Sequence, residues 1–228
     1  MLKNIAIKDT EAMDLIRHLR ILIAVIRNKF RVHRTLGGTQ KYWQKPDDGN
    51  NNPLQYVANG NLENPKAIER TRNLVDIVDN FDIKNPKILE IGCNAGRNLN
   101  GLLDAGYNNL NAIEISKDAI DVMQQAFPEA FSTANIQCGP AEDILSEYKD
   151  GEFDIVYTMA VLQHIHPDSI HHVSKEMVRI CGKYLVIHEA ETHSSWRHFP
   201  RSYRLLFSNA KARYIRRQAG ARIFEVKN

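Results

Sequence analysis

The sequence predicts an α/β protein: a doubly wound, mostly parallel seven-stranded sheet with an N-terminal helical extension. Three observations carry this. From residue 65 onward, short apolar runs alternate with amphipathic stretches of helical period, as in strands joined by crossover helices. The first five of these runs are almost unbroken in apolar character, as expected of parallel strands covered on both faces. Near the C-terminus two further strand-like runs flank Ala219-Gly220, a turn pair suited to a hairpin. Residues 1–64 form the extension and residues 65–228 the domain.

In the extension, "DTEAMDLIRHLRILIAVIRNKFRVHR" (9–34) reads as one helix capped by Asp9 or Thr10. Leu15, Ile16, Leu19, Leu22, Ile23, Ile26 and Phe30 recur at helical spacing, and Arg17, Arg20, Arg27, Lys29 and Arg31 occupy much of the rest. Such a helix packs on its own domain or on a second subunit of a homodimer, covers a site, or lies on an acidic membrane surface. Residues 37–65, rich in Gly, Asn, Pro and Asp, read as a long loop of the kind that forms lids, with Trp43 and Tyr56 as packing anchors.

In the domain, Asn64-Pro65 opens a helix to about residue 80 that buries Ile68, Leu74, Val75 and Val78. Strands follow at 87–91, 110–115, 134–138, 153–158 and 183–189. Helices are expected at 97–106, after a Ser116 cap, near 142–148, and from Pro167 to Cys181 with Gly182 as C-cap. A short helix at 203–208 precedes two strands, 212–217 and 221–226, that meet as a hairpin, with a helix over "AKARYIRRQ" as the alternative for the first of them.

Composition sets limits on function. The apolar run "ILIAVI" (21–26) has six residues, whereas a membrane-spanning helix needs ~20. Three cysteines without CxxC spacing argue against both a disulfide framework and a zinc site, and fit the cytoplasm. Charge is segregated: residues 1–45 carry ten Lys/Arg against three Asp/Glu, residues 197–228 nine against one, and the middle eleven against twenty-three. The basic ends either face something anionic or fold back on the acidic body.

The stretch "KILEIGCNAGRNL" (87–99) places Gly92 and Gly96 around the first strand–helix turn, with Asn94 between them and Glu90 two residues before the first glycine. In an open parallel sheet this turn is the usual cradle for a ligand. A dinucleotide site wants G-x-G-x-x-G. A carboxylate aimed into the turn would repel a pyrophosphate and suit a cation. Glu114 ends the next strand, eighteen residues after Gly96, where a carboxylate accepts hydrogen bonds from ribose hydroxyls. A ribose, no pyrophosphate and a positive amine describe the ligand.

Here the chain resembles the Rossmann-like class I methyltransferases over residues 65–190. "EIGCNAG" corresponds to the first motif, "IEIS" to the ribose motif, "CGPAED" to the adenine loop and "FDIVYTMAVLQHI" to the strand beside the transfer site. The resemblance implies S-adenosyl-L-methionine (SAM) as cofactor and S-adenosyl-L-homocysteine as product. It implies that Glu90, Gly92, Cys93, Asn94 and Gly96 hold the methionine moiety, that Glu114 binds the ribose, and that Ile115 packs on adenine. Ala141 and Glu142 would read the adenine edge, and Met159 and Ala160 would lie by the sulfonium. Pro140 stands where many relatives have Asp, so Glu142 would substitute.

A general base suits histidine, and His164 and His166 follow the fourth strand. His188, Arg197, His198, Arg201 and Tyr203, after the fifth strand, are candidates to hold the acceptor, the arginines as a clamp for a carboxylate or phosphate. No metal site is expected. The acceptor read from these residues is a small molecule or glycan precursor, anionic or hydroxyl-bearing. A non-catalytic SAM-binding module and a nucleic-acid methyltransferase are the alternatives. The second lacks a base-flipping signature after the fourth strand, where the chain reads "TMAVLQ".

Overall fold

The computed structural model describes residues 2–29, 35–46, 51–57 and 64–227, with side chains in the first helix from Asp14 onward. The strands are β1 (Ile88–Ile91), β2 (Leu110–Glu114), β3 (Asn135–Cys138), β4 (Phe153–Met159), β5 (Cys181–His188), β6 (Arg213–Gln218) and β7 (Ala221–Glu225). They form one sheet in the order β3-β2-β1-β4-β5-β7-β6. The first five are parallel, and β7 runs antiparallel between β5 and β6. The hairpin turns through Ala219 and Gly220, both at positive φ, the geometry that matches strand twist in a two-residue connection.

The helices are α1 (Leu2–Lys29), α2 (Leu36–Gln44), α3 (Pro53–Val57), α4 (Pro65–Asp79), α5 (Arg97–Asp104), α6 (Lys117–Ala126), α7 (Pro128–Thr133), α8 (Ala141–Ile144), α9 (Pro167–Ile180) and α10 (Tyr203–Asn209). Two apolar clusters hold them to the sheet. One joins Leu89, Ile91, Val156, Leu185 and Phe224 to α9 and α10 through Val173, Met177 and Phe207. The other joins Ile88, Ala112, Tyr157 and Val186 to α4, α5 and α6 through Leu74, Leu99 and Met123. Strand side chains from β1 and β4 feed both clusters, as alternation across a doubly covered sheet requires.

Several expectations are corrected. The segment read as a loop holds α2 and α3. Thr35 caps α2 by accepting from Gly38 N, and Asn52 caps α3 by accepting from Leu54 N. Gly37 and Gly38 mask the helical pattern, but Tyr42 and Thr39 are buried on one face. Residues 47–50 and 58–63 of that segment lie outside the described residues. Ile68 on α4 is exposed, and Ile77 is buried instead. Helix α7 was not anticipated. Gly182 is no helix cap, because α9 runs directly into β5 at Cys181. A Cβ at Gly182 would stand 3.1 Å from the carbonyl oxygen of Gly151, beside a register shift between Phe153 and Ile155. Its glycine serves close backbone approach.

Helix α1 extends back through Asp9 and Thr10 to Leu2, and its expected end at 34 lies outside the described residues. Its packed face is Arg17, Ile21, Ala24 and Asn28, and the aliphatic stripe faces out. Polar bonds set this rotation. Arg17 donates Nε and Nη2 to Glu191 at 2.7 and 3.0 Å, and Glu191 also pairs with Arg222 of β7 at 2.5 Å. Asn28 donates to Ser194 Oγ and to the carbonyl of His198. Arg204 reaches Asp14 at 3.6 Å. The two basic ends of the chain therefore meet each other across Glu191. Among the described residues no helix is long and apolar enough to cross a membrane.

Breaking a buried ion pair from one side costs about 3–5 kcal/mol, because the remaining charge is stranded. Glu191→Ala is therefore expected to lower urea-denaturation stability by that order and to open residues 15–29 to limited proteolysis. Asp14→Ala, which removes only surface pairs, is expected to cost less than about 1 kcal/mol in the same assay.

Candidate active site

The strand order reverses at β1, whose neighbours are β2 and β4. The crevice beyond the carboxyl ends of such strands is where ligands bind in sheets of this kind. A cavity of about 370 Å³ opens there. Its walls bring together four segments of the domain: Glu90–Asn94, Glu114–Ser116, Gly139–Glu142 and Met159–Ile165. The extension contributes Thr39, Gln40, Trp43 and Tyr56.

The turn after β1 is built from left-handed residues. Gly92, Asn94 and Gly96 have φ of 74°, 49° and 81°, a region that glycine enters freely and asparagine tolerates. Asn94 Oδ1 accepts from Ala95 N, and Gly92 N donates to the carbonyl of Ile113. A Cβ at Gly92 would meet Val161 Cγ2 at 2.4 Å, so only glycine lets the β1 and β4 connections approach this closely. Gly96 lies behind the wall: it precedes α5 and packs against Met123, which a Cβ would meet at 2.5 Å. Of the eleven residues expected around a cofactor, it alone does not line the cavity.

Glu114 is buried and held twice by the backbone. Oε1 accepts from Ser116 N at 2.9 Å and Oε2 from Asn94 N at 2.7 Å. Burial raises its pKa, and these amides act against the rise. A carboxylate has about four lone-pair positions, so two remain for a ligand's hydroxyls. Glu90 contrasts with it. Its Oε1 accepts from Asn98 Nδ2 at 2.9 Å, and Asn98 is itself fixed by Thr71 Oγ1 at 3.0 Å. Among the described residues its Oε2 is buried and meets no donor in good hydrogen-bond geometry, although the Tyr157 hydroxyl, itself otherwise unpartnered, stands close enough to act on it. Burial drives its pKa up to about 7, against the opposing influence of Tyr157, Asn98 and Arg97. A buried, unsatisfied carboxylate oxygen on a cavity wall invites a cationic donor.

At the other end, burial raises Glu142, and a hydrogen bond with Gln40 of α2 works against the rise. Ala160 has a φ of 59°, and its N–H donates to the carbonyl of His188. Glu189, buried at the end of β5, accepts from Val161 N at 2.8 Å and Gln163 N at 3.2 Å, which fixes the 160–164 segment over the cavity.

The acceptor-side residues divide. His164 and His198 line the cavity, their rings 4.5 Å apart, with Trp43 4.4 Å from His164. His164 Nδ1 donates to the carbonyl of Arg197 at 2.9 Å, leaving Nε2 as the acceptor beside Gln163 Nε2. Burial lowers its pKa to about 3, and burial with His193 and Arg197 lowers that of His198 to about 4. Both rings are neutral near pH 7, and His164 is far too weak a base for the role anticipated from its position. His166 is not on the cavity wall. It caps α9, Nδ1 accepting from Asp168 N at 3.2 Å.

The arginine clamp is not formed. Arg201 is half-buried and donates to the carbonyls of Phe199 and Ile165 at 3.0 and 2.8 Å. Tyr203 is fully buried in the core. Arg197 donates to Tyr42 Oη at 2.8 Å. His188 packs under the hairpin turn at Gly220. These side chains hold the 197–204 segment to α2 and the sheet, and none lines the cavity.

Unanticipated wall residues are Trp43, Tyr56, Arg70, Arg97, Asn98 and Gln163. Arg97 and Asn98 were within reach of sequence reasoning, since they open α5 directly after the glycine turn. Tyr56, against which Arg97 lies at 5.2 Å, and Trp43 come from helices that glycine and proline had disguised.

Comparison with known proteins agrees with this geometry. Residues 89–184 match the family model of a methyltransferase domain. No curated protein matches the chain in sequence. Among solved structures, a Pyrococcus horikoshii OT3 protein superposes with a TM-score of 0.60 at 16% identity, over 76% of this chain and 99% of that one. Magnesium protoporphyrin IX methyltransferase from Synechocystis PCC 6803, solved with bound S-adenosylhomocysteine, gives 0.58 at 15% identity, over 82% and 96%. A SAM-dependent methyltransferase from Archaeoglobus fulgidus gives 0.52 at 18%, over 64% and 69%. At these identities the structural likeness concerns the fold.

The Glu90 carboxyl sets a pH dependence. Its folded pKa of about 7 lies above the ordinary 4.5, so between those values the folded state holds a proton that the unfolded state releases. Its contribution is complete below about 4.5 and is lost as pH rises through about 7, a loss of order 3 kcal/mol. Glu90→Gln is expected to abolish this loss. Urea denaturation of the ligand-free proteins from acid to alkaline pH checks it: the variant should be the more stable on the alkaline side.

Proposed function

We propose that this chain, which carries a Rossmann-like, SAM-dependent methyltransferase domain, methylates an oxygen of a small acceptor that arrives already nucleophilic, a carboxylate or a hydroxyl already ionised at neutral pH. The observation that carries the reading is Glu90, which lines the same cavity as Glu114 and whose Oε2 is buried short of a regular donor among the described residues. Glu90 offers an anionic acceptor for the methionine ammonium, and Arg70 and Arg97 on the same wall suit its carboxylate. Glu114 keeps two lone-pair positions for the ribose hydroxyls. Ile115 and Ala141 flank the adenine, with Glu142 in reach of its edge. The bound cofactor supplies a methyl group on a sulfonium, a strong electrophile.

The chain's own task is then to position the acceptor and exclude water. Met159, Ala160 and Val161 border the reacting end. Trp43, His164 and His198 form a neutral wall facing it. The Trp43 indole N–H is buried without a partner among the described residues, a donor for an acceptor oxygen. A pKa of about 3 leaves His164 unable to take a proton near neutrality, which favours an acceptor that needs none removed.

Calorimetric titration with SAM and S-adenosylhomocysteine tests the cofactor site. Glu114→Ala is expected to weaken both at least tenfold, about 1.4 kcal/mol, whereas unchanged affinity would overturn the assignment. Transfer of labelled methyl to panels of carboxylates, nitrophenols ionised at neutral pH, and protonated phenols and aliphatic alcohols tests the acceptor class, and turnover confined to the protonated hydroxyls would overturn it. His164→Gln is expected to lower kcat less than about tenfold, against the ~100-fold or more that loss of a general base produces.

A further inference from the structure

We propose that the outward face of α1 is a docking surface for an anionic lipid bilayer. Leu15, Ile16, Leu19, Leu22, Ile23 and Ile26 are between 41% and 72% exposed. At about 100° per residue they form one continuous arc of the helix. The opposite arc, Arg17, Ile21, Ala24 and Asn28, is the one that packs on the domain. Six large aliphatic side chains facing water together are a patch that needs an occupant.

Charge selects that occupant. Exposed Arg20 and Arg27 flank one margin of the arc, and exposed His18 and Lys29 the other. No Asp or Glu occurs from residue 15 to residue 46. A groove beside the arc is lined by Arg20, Ile23, Arg27, Thr192, His193 and Ser194, a setting for an anionic headgroup beside an apolar side chain. Arg204, held to α1 through Asp14, lies 4.8 Å from the Tyr214 ring of β6. That strand exposes Arg216 and Arg217, beside an Arg213 that pairs with Glu225, so positive charge continues past the helix. An aliphatic arc with cationic margins is the form of helix that lies in a membrane interface, its cations drawn to anionic lipid. A second copy docked through the same arc would set Arg20, Arg27 and Lys29 of both helices together without a carboxylate from this segment between them.

The rotation that exposes the arc is enforced by the bonds from Arg17 to Glu191 and from Asn28 to Ser194 and His198. The surface therefore exists before any membrane is met.

Sedimentation of the full chain with phosphatidylcholine vesicles, with and without phosphatidylglycerol, tests the proposal. Binding is expected to the anionic mixture, to fall as salt is raised, and to be at least about tenfold weaker with phosphatidylcholine alone. The double variants Arg20→Gln/Arg27→Gln and Leu19→Ser/Ile23→Ser are each expected to reduce it about tenfold or more. All four positions are exposed and none lines the active-site cavity, so SAM affinity is expected to be unchanged in both variants. Wild-type chain that ignores the anionic vesicles, or variants that bind them like wild type, would overturn the proposal. A dimer in sedimentation equilibrium that Leu19→Ser/Ile23→Ser dissociates would overturn it too, and would give the arc to a second copy. Vesicle binding does not depend on SAM binding, so failure here is distinguishable from failure of the cofactor assignment.

Discussion

A carboxylate at or just beyond the carboxyl end of a parallel strand, buried and fed by donors from a neighbouring connection, recurs throughout this protein and holds its loops in place. Glu114 at the end of β2 takes the amides of Asn94 and Ser116. Glu189 after β5 takes those of Val161 and Gln163. Glu191 takes Arg17, Arg222 and the amide of Tyr203. Parallel strands end in backbone donors that the sheet cannot satisfy, and a buried donor without an acceptor is costly. A side-chain carboxylate meets two such donors at once and ties adjacent connections together.

Glu90 departs from this pattern. Among the described residues it receives Asn98 in good geometry with the Tyr157 hydroxyl nearby, and its second oxygen is buried without a regular hydrogen bond. Its raised pKa and the depressed pKa of Glu191 come from the same desolvation, decided in opposite directions by whether arginines compensate it. One carboxylate is committed to structure; the other borders the cavity with its charge uncompensated by an ion pair. The histidines follow similar logic: His164 and His198 are in the cavity, but burial without a nearby carboxylate leaves them neutral, suited to shape and hydrogen bonding rather than to proton removal.

The extension is joined to this chemistry from two sides. Helices α2 and α3 place Gln40, Trp43 and Tyr56 on the cavity wall. Helix α1 grips Glu191 and the carbonyl of His198, close to the same wall but facing away from it. Its apolar arc and its polar grip are opposite faces of one helix.

Much of this was legible from residues alone. Apolar runs of four to eight residues, punctuated by Gly, Pro and Ser, located the central strands β1, β2, β4 and β5, because burial on both faces leaves little alternative composition. The glycine turn with Glu90 and Glu114 pointed to the cavity that the strand ends enclose, because left-handed backbone and a strand-end carboxylate are local requirements. What the sequence could not determine is where each side chain points once distant segments meet. The 197–204 arginines look like a substrate clamp by position, but tertiary packing places Arg201 on the carbonyls of Phe199 and Ile165. Periodicity grouped the aliphatic residues of α1 on one face; only Arg17 meeting Glu191, 174 positions away, decided that this face looks outward. A pattern fixes what a helix can bury. An ion pair closed over that separation fixes what it does bury, because the desolvation of Glu191 has to be compensated wherever the fold leaves it.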